Sequence, residues 1–245
     1  MANYLTIDIG NTTAKAAIWS QDRCVGTPIW GQLSAADIEH LCSSLDGEVD
    51  CAAVCRVAED TNGLLAATRR IARRVIEVSS SSPLPISLGR YTTAATLGPD
   101  RIAALCGAMA VCPGCEALVV DCGTCVTYDR LSASGEFLGG NIAPGIGMRM
   151  RAMHAFTAML PLVDSASAPN LWGSSTATAM QAGAFYGIVA EIQYYMSQCP
   201  ANTRLLLTGG RTADLSHFLS NISCSPCPML VMQGLKHIIE HNENN

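Results

Sequence analysis

The sequence predicts an α/β fold made of two similar halves, and three observations point there. An apolar strand that runs into an Asp-x-Gly turn occurs twice, at residues 4–10 and 118–123, about half a chain apart. Helical and strand-like stretches alternate between the two turns instead of segregating. A further apolar strand, residues 205–208, also ends on glycines, Gly209 and Gly210.

The elements follow in order. Tyr4-Leu5-Thr6-Ile7-Asp8-Ile9 is a short apolar run, Gly10-Asn11-Thr12-Thr13 interrupts it, and Ala14-Lys15-Ala16-Ala17-Ile18-Trp19 resumes it: strand, tight turn, strand. Residues 34–45 and 60–74 carry helical spacing, with strand candidates at 51–55 and 75–78. The serines and prolines of 79–85 read as a loop. Gly98-Pro99-Asp100 opens a helix that Cys112-Pro113-Gly114 ends, because proline suits the first helical position and stops a helix beyond it. Residues 118–128 then repeat the first hairpin, with Asn11 as the extra residue of the first copy. Gly139 to Gly145 leads from a strand into a helix over 146–159. In the longest helical stretch, 175–199, Met180, Ala184, Ile188 and Ile192 recur every four residues, a face broad enough for a core or a subunit interface. A last helix follows Gln233. The expected division is an N-terminal domain over 1–114 and a C-terminal domain over 115–245.

At 245 residues, 49% apolar and 14% charged, the chain can bury a substantial core. Its 15 Lys and Arg are scattered except for Arg69, Arg70, Arg73 and Arg74, which the spacing places on a solvated helix face. No basic stripe follows a phosphate backbone, so nucleic acid is not expected as a partner. Asp8 breaks the first apolar run, and no run reaches the roughly 18–20 residues of a membrane span. A cytoplasmic protein without membrane contact is expected. The twelve cysteines then read as reduced thiols, most acting as small apolar side chains. Cys112 with Cys115 and Cys122 with Cys125 lie too close together for a zinc ribbon. The H-x-x-E-H pattern of His237 to His241 reads as an exposed helix face.

The turns carry the chemistry. At Gly10-Asn11-Thr12 the missing Cβ lets backbone N–H groups and threonine hydroxyls approach a phosphate. Asp8 beside it suits Mg²⁺, directly or through water, since magnesium takes few carboxylates plus phosphate oxygens. Lys15 either adds charge near the phosphates or is an exposed strand residue. Asp100 and Arg101 are either a base with a carboxylate-binding donor or an ordinary helix start. Gly209 and Gly210 would let a nucleoside come close. No P-loop and no G-x-G-x-x-G appears.

Asp8 to Lys15, Gly98 to Arg101, Asp121-Cys122-Gly123-Thr124, Gly139 to Gly145 and Gly173-Ser174-Ser175-Thr176 together resemble type III pantothenate kinase, within the actin, Hsp70 and sugar-kinase superfamily. The resemblance implies two RNase H-like, actin-like ATPase halves, each with a mixed central sheet, and a nucleotide cleft between them. It implies ATP-dependent phosphorylation of pantothenate, the first step of coenzyme A biosynthesis. In it, Asp8, Ile9, Gly10, Asn11, Thr12, Thr13, Ala14, Lys15 and Thr124 contact ATP with Mg²⁺. Asp121 lies at a K⁺ or NH₄⁺ site; Tyr91, Gly98, Pro99, Asp100, Arg101 and Thr176 bind pantothenate; and Asp100 is the base. A homodimer is implied as well. Cys122, Cys125 and Asn141 depart from the family pattern. A kinase for another small alcohol, a non-catalytic regulator of gene expression and a redox or zinc protein are the competing readings. Retention of Asp8, Asp100 and Asp121 disfavours the regulator.

Overall fold

The first Asp-x-Gly turn joins two paired strands. In the computed structural model, which describes residues 2–20, 23–45, 47–164, 169–219 and 222–244, β1 (Asn3–Ile9) and β2 (Ala14–Ser20) run antiparallel with Asp8 opposite Lys15. β3 (Arg23–Gly31) extends the hairpin on the β2 side. After α1 (Ala35–Cys42), capped by Ser34, β4 (Val49–Arg56) pairs parallel with β1. α2 (Leu64–Ile71) then leads into β5 (Ala72–Glu77), parallel to β4. The sheet order is β3-β2-β1-β4-β5. One face of β1, Leu5, Ile7 and Ile9, is buried with Ile38 and Leu41 of α1 and Leu64 of α2. The other face carries Thr6 and Asp8.

The helix expected over 60–74 divides. Asp60 accepts the N–H groups of Leu64 (2.8 Å) and Leu65 (2.7 Å), which fixes a late start. The chain is already extended at Ala72, where Val75 and Ile76 join the β4 ladder. Arg73 and Arg74 therefore sit on a strand, not a helix. Arg69, Arg70 and Arg73 pair with Glu77, Glu39 and Glu48 at the surface, as a solvated face would.

α3 (Pro99–Val111) starts at Gly98 as expected. The second hairpin follows: β6 (Ala117–Cys122) and β7 (Cys125–Leu131) are antiparallel, and β8 (Phe137–Pro144) runs into α4 (Ile146–Ala155). α5 (Thr176–Ser197) opens on a capping box between Ser175 and Thr178. β9 (Arg204–Thr208), α6 (Thr212–Phe218), β10 (Cys224–Pro226) and α7 (Leu230–Glu243) complete the chain. β9 is parallel to β6, and β10 to β9, giving the order β8-β7-β6-β9-β10. That is the order of the first sheet, strand for strand, so the duplication inferred from two turns extends to both sheets. Leu118 and Val120 of β6 are buried with Phe185, Ile188 and Ile192 of α5, which makes the apolar face of that helix largely core.

Contacts divide the chain into two compact units. The first holds Met1–Gly114, Gly135–Phe137 and Met229–Asn245; the second holds Cys115–Ser134 and Leu138–Pro228. α7 thus packs within the first unit, against α3, β1 and β4. No described helix is long and apolar enough to cross a membrane.

Candidate active site

In the first unit, the hairpin turn is closed by Gly10 N–H donating to Thr13 O at 3.1 Å. A Cβ on Gly10 would stand 2.9 Å from that same oxygen, so glycine is required by the turn's tightness. Asn11, Thr12 and Thr13 are exposed, and Gln32 holds the loop by donating Nε2 to Thr12 O at 3.0 Å. A cavity of about 110 Å³ opens beside the turn, walled by Ile9, Ala14, Leu33 and Leu64 among others. Small-molecule sites usually measure roughly 300–1,000 Å³. Asp8 and Lys15 are not among its walls, so this cavity alone does not make a nucleotide site.

Asp8 lies on the opposite face of β1 from Ile9 and is half-buried. Lys15 stands across from it on β2 and Cys55 across from it on β4. The Cys55 thiol approaches Asp8 Oδ1 at 3.2 Å. Burial pushes the Asp8 carboxyl above its ordinary range; Lys15 and the Cys55 contact pull it back, and the charge of Asp100 adds to the rise. Asp8 and Asp100 are therefore electrostatic neighbours within one unit. A single carboxylate beside exposed hydroxyls on a glycine turn fits Mg²⁺, which takes one or two carboxylates and fills its shell with water and phosphate.

Asp100 sits in the first turn of α3, where the unpaired N–H groups and the helix dipole favour negative charge. Its Oδ1 accepts the Arg101 N–H at 2.8 Å. A Cβ on Gly98 would fall 2.5 Å from that Oδ1, so Gly98 makes room for the carboxylate to lie over the helix start. Arg101 is 6% exposed, and its guanidinium carbon lies 5.9 Å from the Tyr91 ring centroid and 5.8 Å from that of Phe137. The two rings are themselves 5.2 Å apart. Phe137 reaches this unit because Ser87 exchanges hydrogen bonds with Gly135 and Phe137 at 2.9 and 2.8 Å. Nothing local in the sequence marks Phe137 as part of this group. Tyr91, Asp100 and Arg101 are thus brought together.

In the second unit, Gly123 N–H donates to Cys125 O at 3.0 Å, a closure one residue shorter than Gly10 to Thr13. Asn11 is that extra residue. Gly145 N–H donates to Thr124 O at 3.1 Å, and a Cβ there would come within 2.4 Å of Gly123 O. The Gly139 to Gly145 run therefore supports the second hairpin from below. Arg149 secures this support: it donates Nε to Pro144 O at 2.8 Å and pairs with Glu191 at 2.7 Å, which also accepts the Tyr128 hydroxyl at 2.6 Å. Cys122 is buried, and its thiol is pushed up by desolvation and the charge of Asp121, so this departure from the family pattern is an unreactive core residue. Asn141 is exposed on β8.

Gly209 has φ +92, and a Cβ there would lie 2.5 Å from Asp121 Oδ1 and 2.6 Å from Cys122 N. The room expected there for a nucleoside is filled by Asp121 and Cys122; Gly210 alone faces open space. Thr208 pairs in register with Asp121 across β9 and β6, and its Oγ1 is buried without a hydrogen-bond partner among the described residues. An unpaired buried oxygen beside a carboxylate fits a hard monovalent cation. Thr124 is exposed on the turn, and Thr176 is the exposed first residue of α5.

The model of the type III pantothenate kinase family matches residues 4–198. A type III pantothenate kinase of Bacteroides fragilis is 35% identical over 241 residues, covering 97% of this chain and 98% of the relative. Among solved structures, a Campylobacter jejuni protein described as a Baf family transcriptional activator superposes with a TM-score of 0.62 at 23% identity, covering 98% of this chain and 100% of that one. The ADPNP-bound activator of 2-hydroxyisocaproyl-CoA dehydratase from Clostridium difficile gives 0.56 at 12% identity, covering 99% and 96%. At such identities these two speak for fold alone. With the paired mixed sheets they bear out the expected actin-like ATPase architecture. Both the family match and the full-length relative run through the two hairpins and the α3 start described above, and the chain belongs to the type III pantothenate kinase family.

Proposed function

We propose that the protein transfers the γ-phosphoryl group of ATP to the hydroxyl of pantothenate, giving 4′-phosphopantothenate for coenzyme A synthesis. The supporting observation is the gathering, in one unit, of Asp8 at a phosphate-type turn with Asp100 and Arg101 at the start of α3. Alcohols are far too weakly acidic to ionise at neutral pH, so Asp100 accepts the substrate proton as its oxygen attacks. The Arg101 N–H on Oδ1 keeps that carboxylate aimed. Arg101, stacked against Tyr91 and Phe137, presents a planar donor to the carboxylate of pantothenate. Gly98 and Pro99 precede Asp100 at the same helix start, and Thr176 is the further residue proposed to bind pantothenate.

Residues 8–15 and Thr124 take the nucleotide, with turn N–H groups, threonine hydroxyls and Lys15 around the phosphates. Asp8 would hold Mg²⁺, directly or through water, and Asp121 with the Thr208 hydroxyl would hold K⁺ or NH₄⁺. When bound, these cations offset charge on the transferring phosphoryl group. We place the enzyme in the cytoplasm as a homodimer. Its second unit exposes Phe156, Met159, Leu162, Leu171 and Trp172, the kind of apolar surface a partner covers. A coupled ADP assay on the purified protein tests the proposal: ADP should form only with pantothenate present and faster with K⁺. ADP formation indifferent to pantothenate would overturn it, and a panel of other small alcohols identifies the acceptor in that event.

A further inference from the structure

Lys15, Asp8 and Cys55 form one row across β2, β1 and β4. Residues paired in register point to the same face of a sheet, so a carboxylate in the middle of the row has a cation on one side and a thiol on the other. Cys55 is fully buried, with Sγ 3.2 Å from Asp8 Oδ1. A free thiol carries its proton at neutral pH, and at that distance its S–H donates to the carboxylate oxygen. The second half repeats the placement. There Thr208, on the strand parallel to β6, faces Asp121 with a buried hydroxyl that has no hydrogen-bond partner among the described residues. A polar group opposite the hairpin carboxylate is therefore a property of the duplicated unit.

We propose that Cys55 is a positioning residue, whose S–H donates to Asp8 Oδ1 and fixes the carboxylate so that its other oxygen meets the magnesium–nucleotide complex. This rests on the reading of Asp8 as the magnesium-side carboxylate. Sulfur is a poor ligand for so hard a cation, so the thiol works through Asp8 and not on the ion. Magnesium demands near-ideal octahedral geometry, and a carboxylate pinned at one oxygen meets that demand at lower entropic cost.

The test is ADP binding by calorimetry across a Mg²⁺ titration, and again in EDTA, on the full chain and its Asp8→Asn, Cys55→Ser, Cys55→Ala and Cys55→Val variants. Cys55→Ala and Cys55→Val should each raise the Mg²⁺ concentration for half-maximal binding by about 5- to 10-fold, the worth of one hydrogen bond from a donor as weak as a thiol, with affinity in EDTA unchanged. Cys55→Ser keeps a donor and should stay within about twofold of the parent. Normal Mg²⁺ dependence in both the Ala and Val variants, alongside its loss in Asp8→Asn, would overturn the role of Cys55 and leave that of Asp8 standing. A Ser variant as weak as the Ala variant would also overturn it, since shape and not the donor would then matter. Full Mg²⁺ dependence in Asp8→Asn would remove the reading of Asp8 and this proposal with it.

Discussion

Asp100 is held in place by its immediate neighbours, with the Arg101 N–H on one oxygen and the bare Cα of Gly98 beneath it. Replacing it by asparagine keeps that packing and removes the proton acceptor. Asp100→Asn should lower kcat by roughly 10²–10⁴-fold in the coupled assay, with ADP affinity by calorimetry unchanged. Asp8 is a carboxylate held against its own preference by burial. Because its folded-state carboxyl is raised, the folded protein binds the proton more tightly than the unfolded chain. The stability tied to it is present below the unfolded value of 3.8 and is lost as pH rises through the folded one. Asp8→Asn should therefore raise the melting temperature of the metal-free protein at pH 7, and the gain should shrink as the pH falls toward 3.8. A lower melting temperature for Asp8→Asn at pH 7 would contradict this. Thr208→Val keeps shape and deletes the unpaired oxygen; the K⁺ needed for half-maximal activity should rise by about 5- to 50-fold. The residues legible in the sequence were those whose role is local. Gly10, Asp8, Gly98 and Asp100 announce themselves by turn and cap chemistry within a few positions. Cys55, Thr208 and Phe137 owe their places to strand register and to a pairing fifty residues away, which no short pattern carries.

Among the elements, α3 and α7 cross so closely that side chains have no room. A Cβ on Gly234 would fall 1.7 Å from Ala103 O, and one on Gly107 would fall 2.2 Å from Leu230 O. Both glycines are there for backbone contact between helices. Gly234→Ala should destabilise the protein by about 1–3 kcal/mol or more in urea unfolding, as overpacked cores do. A change within about 0.5 kcal/mol, the scale of surface substitutions, would show that the crossing tolerates a methyl group. Sequence pattern foresaw α3 from Pro99 and Pro113 at its ends, whereas the last helix, expected after Gln233, already starts at Leu230. It missed β3, an edge strand broken by Gly26 and Pro28, residues that weaken strand signals and are tolerated only at an edge. It ran α2 through Arg73 and Arg74 because arginine is a good helix former, whereas pairing with β4 decides for strand.

At the scale of the molecule, two sheets share one strand order and place an aspartate at the same point of each, on the first strand before its hairpin turn. The halves then part: one turn has Asn11 and Lys15, whereas the other has a shorter closure braced by Gly145 and Gly209. The exposed apolar residues between Phe156 and Trp172 belong to the second half alone. Light scattering should give the mass of a dimer, and replacing Phe156 and Trp172 together by glutamate should shift it toward the monomer; a monomeric parent protein would refute the assembly. α7, which ties Tyr4 to Glu243 through a 2.6 Å hydrogen bond and packs on β1 and β4, follows the entire second unit in the chain. A ribosome must therefore finish the second unit before the first can close over the strand that bears Asp8. The nascent first sheet lacks the cover of α7 until then, so the half that carries Asp8 matures last although it is synthesised first.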